Sequence, residues 1–134
     1  MKEDYINEVI KKLKTKWEMD LKVENSVAGF LGVHIDRQEN GSIELTQTGL
    51  AKRIIEALKI DHKPRKLTPA KANPLSKDEN GELGNAPYNY ASVIGMLQYL
   101  HGHSRPDLTY AVSQCARFTH APKRSYEEAL ERIG

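Results

Sequence analysis

Apolar residues recur at Ile6, Val9, Ile10, Leu13 and Trp17, the spacing of one helical stripe. Glu3 and Asp4 fall in its first turn, where acids suit the helix dipole, and lysines fill the opposite face. The period then shortens. Met19, Leu21 and Val23 alternate with Asp20, Lys22 and Glu24, which predicts a strand ending at Asn25 and Ser26. A hairpin is predicted next, with one strand from Phe30 to Arg37 and another from Ser42 to Gln47. Leu31, Val33 and Ile35 share a face of the first strand, and Ile43 and Leu45 continue the alternation in the second. Between them Asn40-Gly41 offers the positive φ values of a tight turn. Gly32, read as a strand residue, leaves room for another backbone to approach closely.

Thr48 is the expected cap of a helix with apolar positions Leu50, Ile54, Ala57 and Leu58. The pattern stops after Ile60. From Lys63 to Pro87 the chain holds four of its six prolines among polar residues, and so long a run without periodicity is normally functional or a linker. Three helical patterns finish the chain: Tyr90, Val93, Ile94 and Leu97; then Leu108, Ala111, Val112 and Cys115; then Tyr126, Ala129, Leu130 and Ile133. Pro106 suits the first turn of the second, and Ser125 with Glu128 spells a capping box for the third. The fold class expected is α+β: an N-terminal helix and β-hairpin, followed by a mostly helical half.

The 134 residues are 39% hydrophobic and 28% charged, ordinary for a globular chain of about one domain. A net charge of +2 is too small to argue for nucleic acid by itself, and its distribution says more. Between Lys52 and Lys71 stand seven cations (Lys52, Arg53, Lys59, Lys63, Arg65, Lys66, Lys71) against Glu56 and Asp61. Such a patch meets phosphates, or is simply a solvated helix face and loop. The one cysteine, Cys115, permits no intrachain disulfide and fits a reducing compartment. No run of 18 apolar residues exists to span a membrane. The start, with no signal region and an almost immediate helix, reads as truncation.

Candidate chemistry is sparse. His101, His103, Cys115 and His120 match no common structural zinc spacing. Asp107 reads as an acid at a helix start, Asp78 and Glu79 as solvated loop acids, and Cys115 as a core residue. There is no Gly-rich phosphate loop, no Ser-His-Asp pattern and no Asp-Asp pair for two-metal phosphoryl transfer. Arg105 stands out, because a cation before a helix start opposes the dipole and calls for a partner, either a carboxylate or a phosphate.

Phe30-Leu31-Gly32, Leu45-Thr46-Gln47, the Lys63-Pro64 and Thr68-Pro69 pairs, Tyr90 with Gly95, Leu97, Tyr99 and Leu100, and Arg105-Pro106-Asp107-Leu108 with Tyr110-Ala111-Val112 occur in this order. Together they resemble the distal part of copia-type retrotransposon reverse transcriptases. The resemblance extends to Arg117-Phe118, Pro122, Ala129 and Arg132. It departs from the family at Tyr126-Glu127 and at Met96-Leu97-Gln98.

The resemblance implies a piece of an RNA-directed DNA polymerase of the palm, fingers and thumb type. Residues 1–47 are then the end of the palm with a hairpin like the primer grip. Residues 48–62 are a thumb-like helix, 63–89 a Pro-rich loop, and 90–134 a helical thumb and connection segment cut before RNase H. No residue here is catalytic or metal-binding on that reading, since the family's Tyr-x-Asp-Asp carboxylates precede the first helix. Mg2+ is implied only for the full-length polymerase, and the piece alone is inactive. Nucleic-acid contacts are expected at Phe30, Leu31, Gly32, Lys52, Arg53, Lys63, Arg65, Lys66 and Arg105. The implied partners are an RNA/DNA primer–template and the missing fingers, palm and RNase H regions of the same polyprotein, with no membrane. The implied setting is the cytoplasmic virus-like particle, or the nucleus. The alternative is a non-enzymatic remnant or an interaction module reused from a retroelement.

Overall fold

A computed structural model describes residues 2–22 and 29–134 of the chain. It is mixed helix and strand, in keeping with the α+β expectation. Helix α1 spans Lys2–Lys16. A three-stranded antiparallel sheet follows, made of β1 (Gly29–Phe30), β2 (Val33–Arg37) and β3 (Ile43–Thr46) in that order. Then come α2 (Thr48–Leu58), α3 (Tyr90–His103), a 3-10 turn (Pro106–Leu108), α4 (Thr109–Ala116) and α5 (Arg124–Glu131).

The helical half holds the core. Each apolar stripe read from the sequence after Thr48 turns inward: Leu50, Ile54 and Leu58 from α2; Tyr90, Val93, Ile94, Leu97 and Leu100 from α3; Ala111, Val112 and Cys115 from α4; and Tyr126 and Leu130 from α5. Helix α3 lies centrally, packed on α2 on one side and α4 on the other. Asn89 starts it, its side chain accepting from the Ser92 N–H at 2.9 Å. A cap of this kind is worth about 1 kcal/mol. Helix α2 closes with Lys59 in the left-handed region (φ 54), its N–H donating to the carbonyl of Glu56.

The N-terminal third contributes nothing to that core among the described residues. The α1 stripe forms a helix as expected, yet Ile6 is 55% and Trp17 68% exposed. On the sheet, cross-strand pairing places Ile35 beside Leu45 and Arg37 beside Ile43, so Val33, Ile35, Ile43 and Leu45 share one face. Ile43 and Leu45 stay exposed there.

The structure corrects several local expectations. Residues 19–22 form no strand, because alternation alone does not supply a neighbouring strand, and the sheet among the described residues is built from β1, β2 and β3; Val23 to Ser26 lie outside the described residues. The strand expected from Phe30 to Arg37 is two strands joined by a turn at Leu31 and Gly32, which have φ of 50° and 80°. Two positive φ values in a two-residue loop match the twist of the flanking strands. Gly32 therefore supplies a turn angle, and it is not a strand residue at a close backbone approach. In the second loop only Gly41 has positive φ (83°), and the Gln38 N–H donates to the Ser42 carbonyl at 2.9 Å. Asn40 acts instead through its side chain, which accepts from the Ser42 N–H at 2.9 Å and from the Ser42 hydroxyl at 2.7 Å.

Two expected caps are also replaced. Thr48 lies inside α2, and Gln47 precedes it with no side-chain cap; its buried amide oxygen instead accepts from the Ser104 hydroxyl at 2.8 Å. Ser125 lies inside α5, where its hydroxyl donates to Asp78 at 2.6 Å, so no capping box forms. Asp78 is correspondingly a partly buried, hydrogen-bonded residue and not a solvated acid.

The long segment after Ile60 carries little regular structure, but α5 and the loop before it hold it at many points. Leu83 bridges to Lys123, and the Gly84 N–H donates to the Pro122 carbonyl at 3.1 Å. The Asp78 N–H donates to the Tyr126 hydroxyl at 2.6 Å, and that hydroxyl donates to the Ser76 carbonyl at 3.2 Å. Tyr126 stacks on Phe118 with ring centroids 4.1 Å apart.

Candidate nucleic-acid interface

The C-terminal end of α3 joins the sheet to the helical body. The Tyr99 hydroxyl donates to the carbonyl of Leu31 at the tip of the first hairpin. One turn later Ser104 donates to Gln47, where β3 passes into α2. The Arg105 N–H donates to the Leu100 carbonyl at 3.1 Å. His103 rests on Tyr99 with ring centroids 4.2 Å apart, and its Nδ1 lies 2.8 Å from the Tyr99 carbonyl. One helix end thus gathers the hairpin tip, the start of α2 and Arg105.

The hairpin tip is strained. A leucine in the left-handed region costs roughly 1–2 kcal/mol relative to ordinary backbone. Leu31 is also 70% exposed, so no burial of its own side chain offsets that cost. The Tyr99 tether and the ladder of β1 with β2 hold it in place. Backbone strain at an exposed loop marks a place worth testing for function. Tyr99→Phe removes the tether while keeping the ring. Amide exchange at Gly32 and Val33 should rise several-fold, with the melting temperature of the helical body shifted by no more than a degree or two; unchanged exchange would show that the tether does not hold the turn.

The other expected contact residues are spread more widely. Phe30 lies in β1, and its side chain is outside the described residues. Lys52 and Arg53 are exposed on α2, away from its buried Leu50, Ile54 and Leu58. Arg65 and Lys66 are exposed in the irregular segment beyond α2. Lys63 is drawn to α5, where its ammonium pairs with Glu131. Arg105 finds the carboxylate partner that its position called for. Its Nε and Nη2 donate to the two oxygens of Asp107 at 2.9 and 2.8 Å. These hydrogen bonds hold the Asp107 carboxyl below the usual carboxylate range. Both side chains stay more than half exposed, so the pair contributes little to stability.

Tyr99, Ser104 and Gln47 were not read from the sequence as site residues. Tyr99 carried a signal in the Tyr-Leu pair of the family motif, whereas Gln47 resembled only a strand end. Among the described residues, no three His, Cys, Asp or Glu side chains converge where an ion could sit. No helix among them is long and apolar enough to cross a membrane.

No protein-family model matches the chain, and no solved structure matches it. Curated proteins do. The retrovirus-related Pol polyprotein from transposon RE1 of Arabidopsis thaliana is 30% identical over 104 residues, which is 78% of this chain and 7% of the polyprotein. The corresponding polyprotein from transposon RE2 of the same plant is 29% identical over 104 residues, with the same shares. A transposon Ty5-1 protein of Saccharomyces cerevisiae is 30% identical over 105 residues, 78% of this chain and 34% of that protein. The chain thus spans a small part of the relatives it matches. By these matches it belongs with the Pol polyproteins of copia-type retrotransposons, as a retroelement-derived stretch of them.

Proposed function

We propose that this chain is the non-catalytic, template-positioning part of an RNA-directed DNA polymerase, holding a primer–template duplex through its phosphates. The observation that carries the reading is the arrangement at the end of α3. An exposed, strained hairpin tip and the exposed Arg105–Asp107 pair are gathered there by Tyr99 and the turn after α3. Family membership supplies the substrate class, since the relatives are named as Pol polyproteins. Lys52, Arg53, Arg65 and Lys66 add exposed cations. Contacts of this type fix register without reading sequence, and they release counterions as they form. Positioning alone supplies no phosphoryl-transfer chemistry, so the polymerase step belongs to carboxylates and Mg2+ elsewhere in the polyprotein.

Binding of an RNA–DNA hybrid should be weak, indifferent to sequence and steeply salt-dependent. Fluorescence anisotropy of a labelled hybrid across 50 to 300 mM salt measures this. Arg65→Ala with Lys66→Ala, and separately Lys52→Ala with Arg53→Ala, should each lower the slope of log K against log salt by about 1 per residue that touches phosphate. Binding that ignores salt, or that survives both double substitutions unchanged, contradicts the assignment.

A further inference from the structure

Thr68-Pro69 is the one place in the 134 residues where a serine or threonine precedes proline. The proline disfavours helical backbone at Thr68 and has no N–H of its own. All of residues 61–68 are exposed, and none of them lies in a helix or strand. Arg65 and Lys66 stand three and two positions before the threonine, and Lys71 stands three after it. No Asp or Glu occurs in residues 62–77. The segment is thus an accessible, extended hydroxyl peptide with no charge that would repel an incoming phosphoryl group. The Thr68 hydroxyl donates to the Ala70 carbonyl at 3.0 Å and accepts from Nη2 of Arg132 at 3.1 Å. A guanidinium from the C-terminal end of α5 therefore already touches the oxygen that a kinase would modify.

We infer that Thr68 is a phosphorylation site for a proline-directed protein kinase, and that Arg132 holds the phosphate. The γ-phosphoryl group of ATP passes to Oγ1. A new O–P bond forms there, the bond to the β-phosphate oxygen breaks, ADP leaves, and the hydroxyl proton goes to the kinase's catalytic base. The hydrogen bond to Ala70 is lost with that proton. The new group carries a charge of about −1.5 to −2 and three strong acceptor oxygens. Arg132 Nη2 then faces an anion where it faced a neutral hydroxyl, and the contact becomes charge-assisted on both sides. A phosphate placed opposite an arginine in this way orders the loop that bears it, here by fastening the segment around Thr68 to the end of α5.

The test incubates the full chain with ATP and a proline-directed kinase, beside a synthetic peptide of residues 61–73, which lacks Arg132. Tandem mass spectrometry locates the phosphate, and 31P NMR follows its second ionisation with pH. The expected result is a single phosphate at Thr68 of the chain and none in Thr68→Val. The ionisation midpoint should lie roughly half a pH unit or more lower in the chain than in the peptide, because a neighbouring guanidinium favours the dianion. Arg132→Gln should return the chain's midpoint to the peptide's. The comparison of chain with peptide needs no substitution, so it stands even where Arg132→Gln does not fold. A chain left without phosphate at Thr68 overturns the inference, as does one modified elsewhere with Thr68 bare. A midpoint equal in chain and peptide overturns the role of Arg132 and the fastening to α5 with it.

Discussion

Raising the pH from 9 to 11 is expected to unfold the helical half of this chain. Burial pushes the Cys115 thiol from 9.0 up to about 11, and its side chain is 1% exposed. Burial also raises the hydroxyls of Tyr88 and Tyr90 well above their ordinary value of 10.0. The sign follows from proton counting. Between pH 9 and 11 the unfolded chain has released the thiol proton and the native state still holds it. Stability is then full below pH 9 and falls as the pH rises. Two pH units on Cys115 correspond to about 3 kcal/mol, and the tyrosines steepen the fall above pH 10. Such a sum rivals the whole stability of a small domain. Urea unfolding monitored by circular dichroism at pH 8, 9, 10 and 11 measures it. Cys115→Ala should flatten the decline between pH 9 and 10, and Tyr90→Phe should flatten it above 10. A midpoint that stays constant to pH 11 would show that these groups are not desolvated.

Replacing Glu127 should release the Pro-rich segment. Glu127 is 7% exposed, and its two oxygens accept from the backbone N–H groups of Ala86 at 2.9 Å and Asn85 at 3.2 Å. Glu127→Ala removes the acceptor of both donors. Hydrogen bonds to a charged group contribute about 1.5–3 kcal/mol each. A loss of about 2–4 kcal/mol is expected for Glu127→Ala, allowing for water that enters the enlarged site. Glu127→Gln retains one acceptor and turns an amide toward the other donor, so it should lose roughly half as much. The further mark is local: proteolysis should cut first between residues 76 and 87, while α2 and α3 still exchange slowly. A variant as stable as the parent, or one that loses all structure at once, would contradict the view that Glu127 is a clasp on this segment.

Much of the helical half was legible because its periodicity and its burial have the same cause. Tyr90, Val93, Ile94 and Leu97 repeat at helical spacing since one face of α3 must leave water, and those residues are the buried ones. Where local signals and tertiary partners compete, the sequence misleads. Ser125 has a capping box in its neighbourhood, but Asp78, distant in sequence, takes its hydroxyl. Thr48 looks like a cap, but Gln47 precedes the helix and turns its side chain to Ser104. The alternation of Met19 to Glu24 carries no information about whether a neighbouring strand exists. Gly32 marks a special backbone position, yet only the pairing of Phe30 with Val33 reveals it as a turn. At the candidate site, Arg105 announced a partner through its awkward charge, whereas the Tyr99 tether depends on a contact across 68 positions that no local pattern encodes.

On the proposed function, nucleic acid meets the chain at the end of α3. The most direct measurement is amide chemical-shift mapping during titration with a short RNA–DNA hybrid. Shifts should cluster at Leu31 and Gly32, at Lys52 and Arg53, at Arg65 and Lys66, and from Ser104 to Asp107, and should recede together as salt is raised. Shifts confined to α1 or to the apolar face of the sheet, or none at all at low salt, would contradict that function.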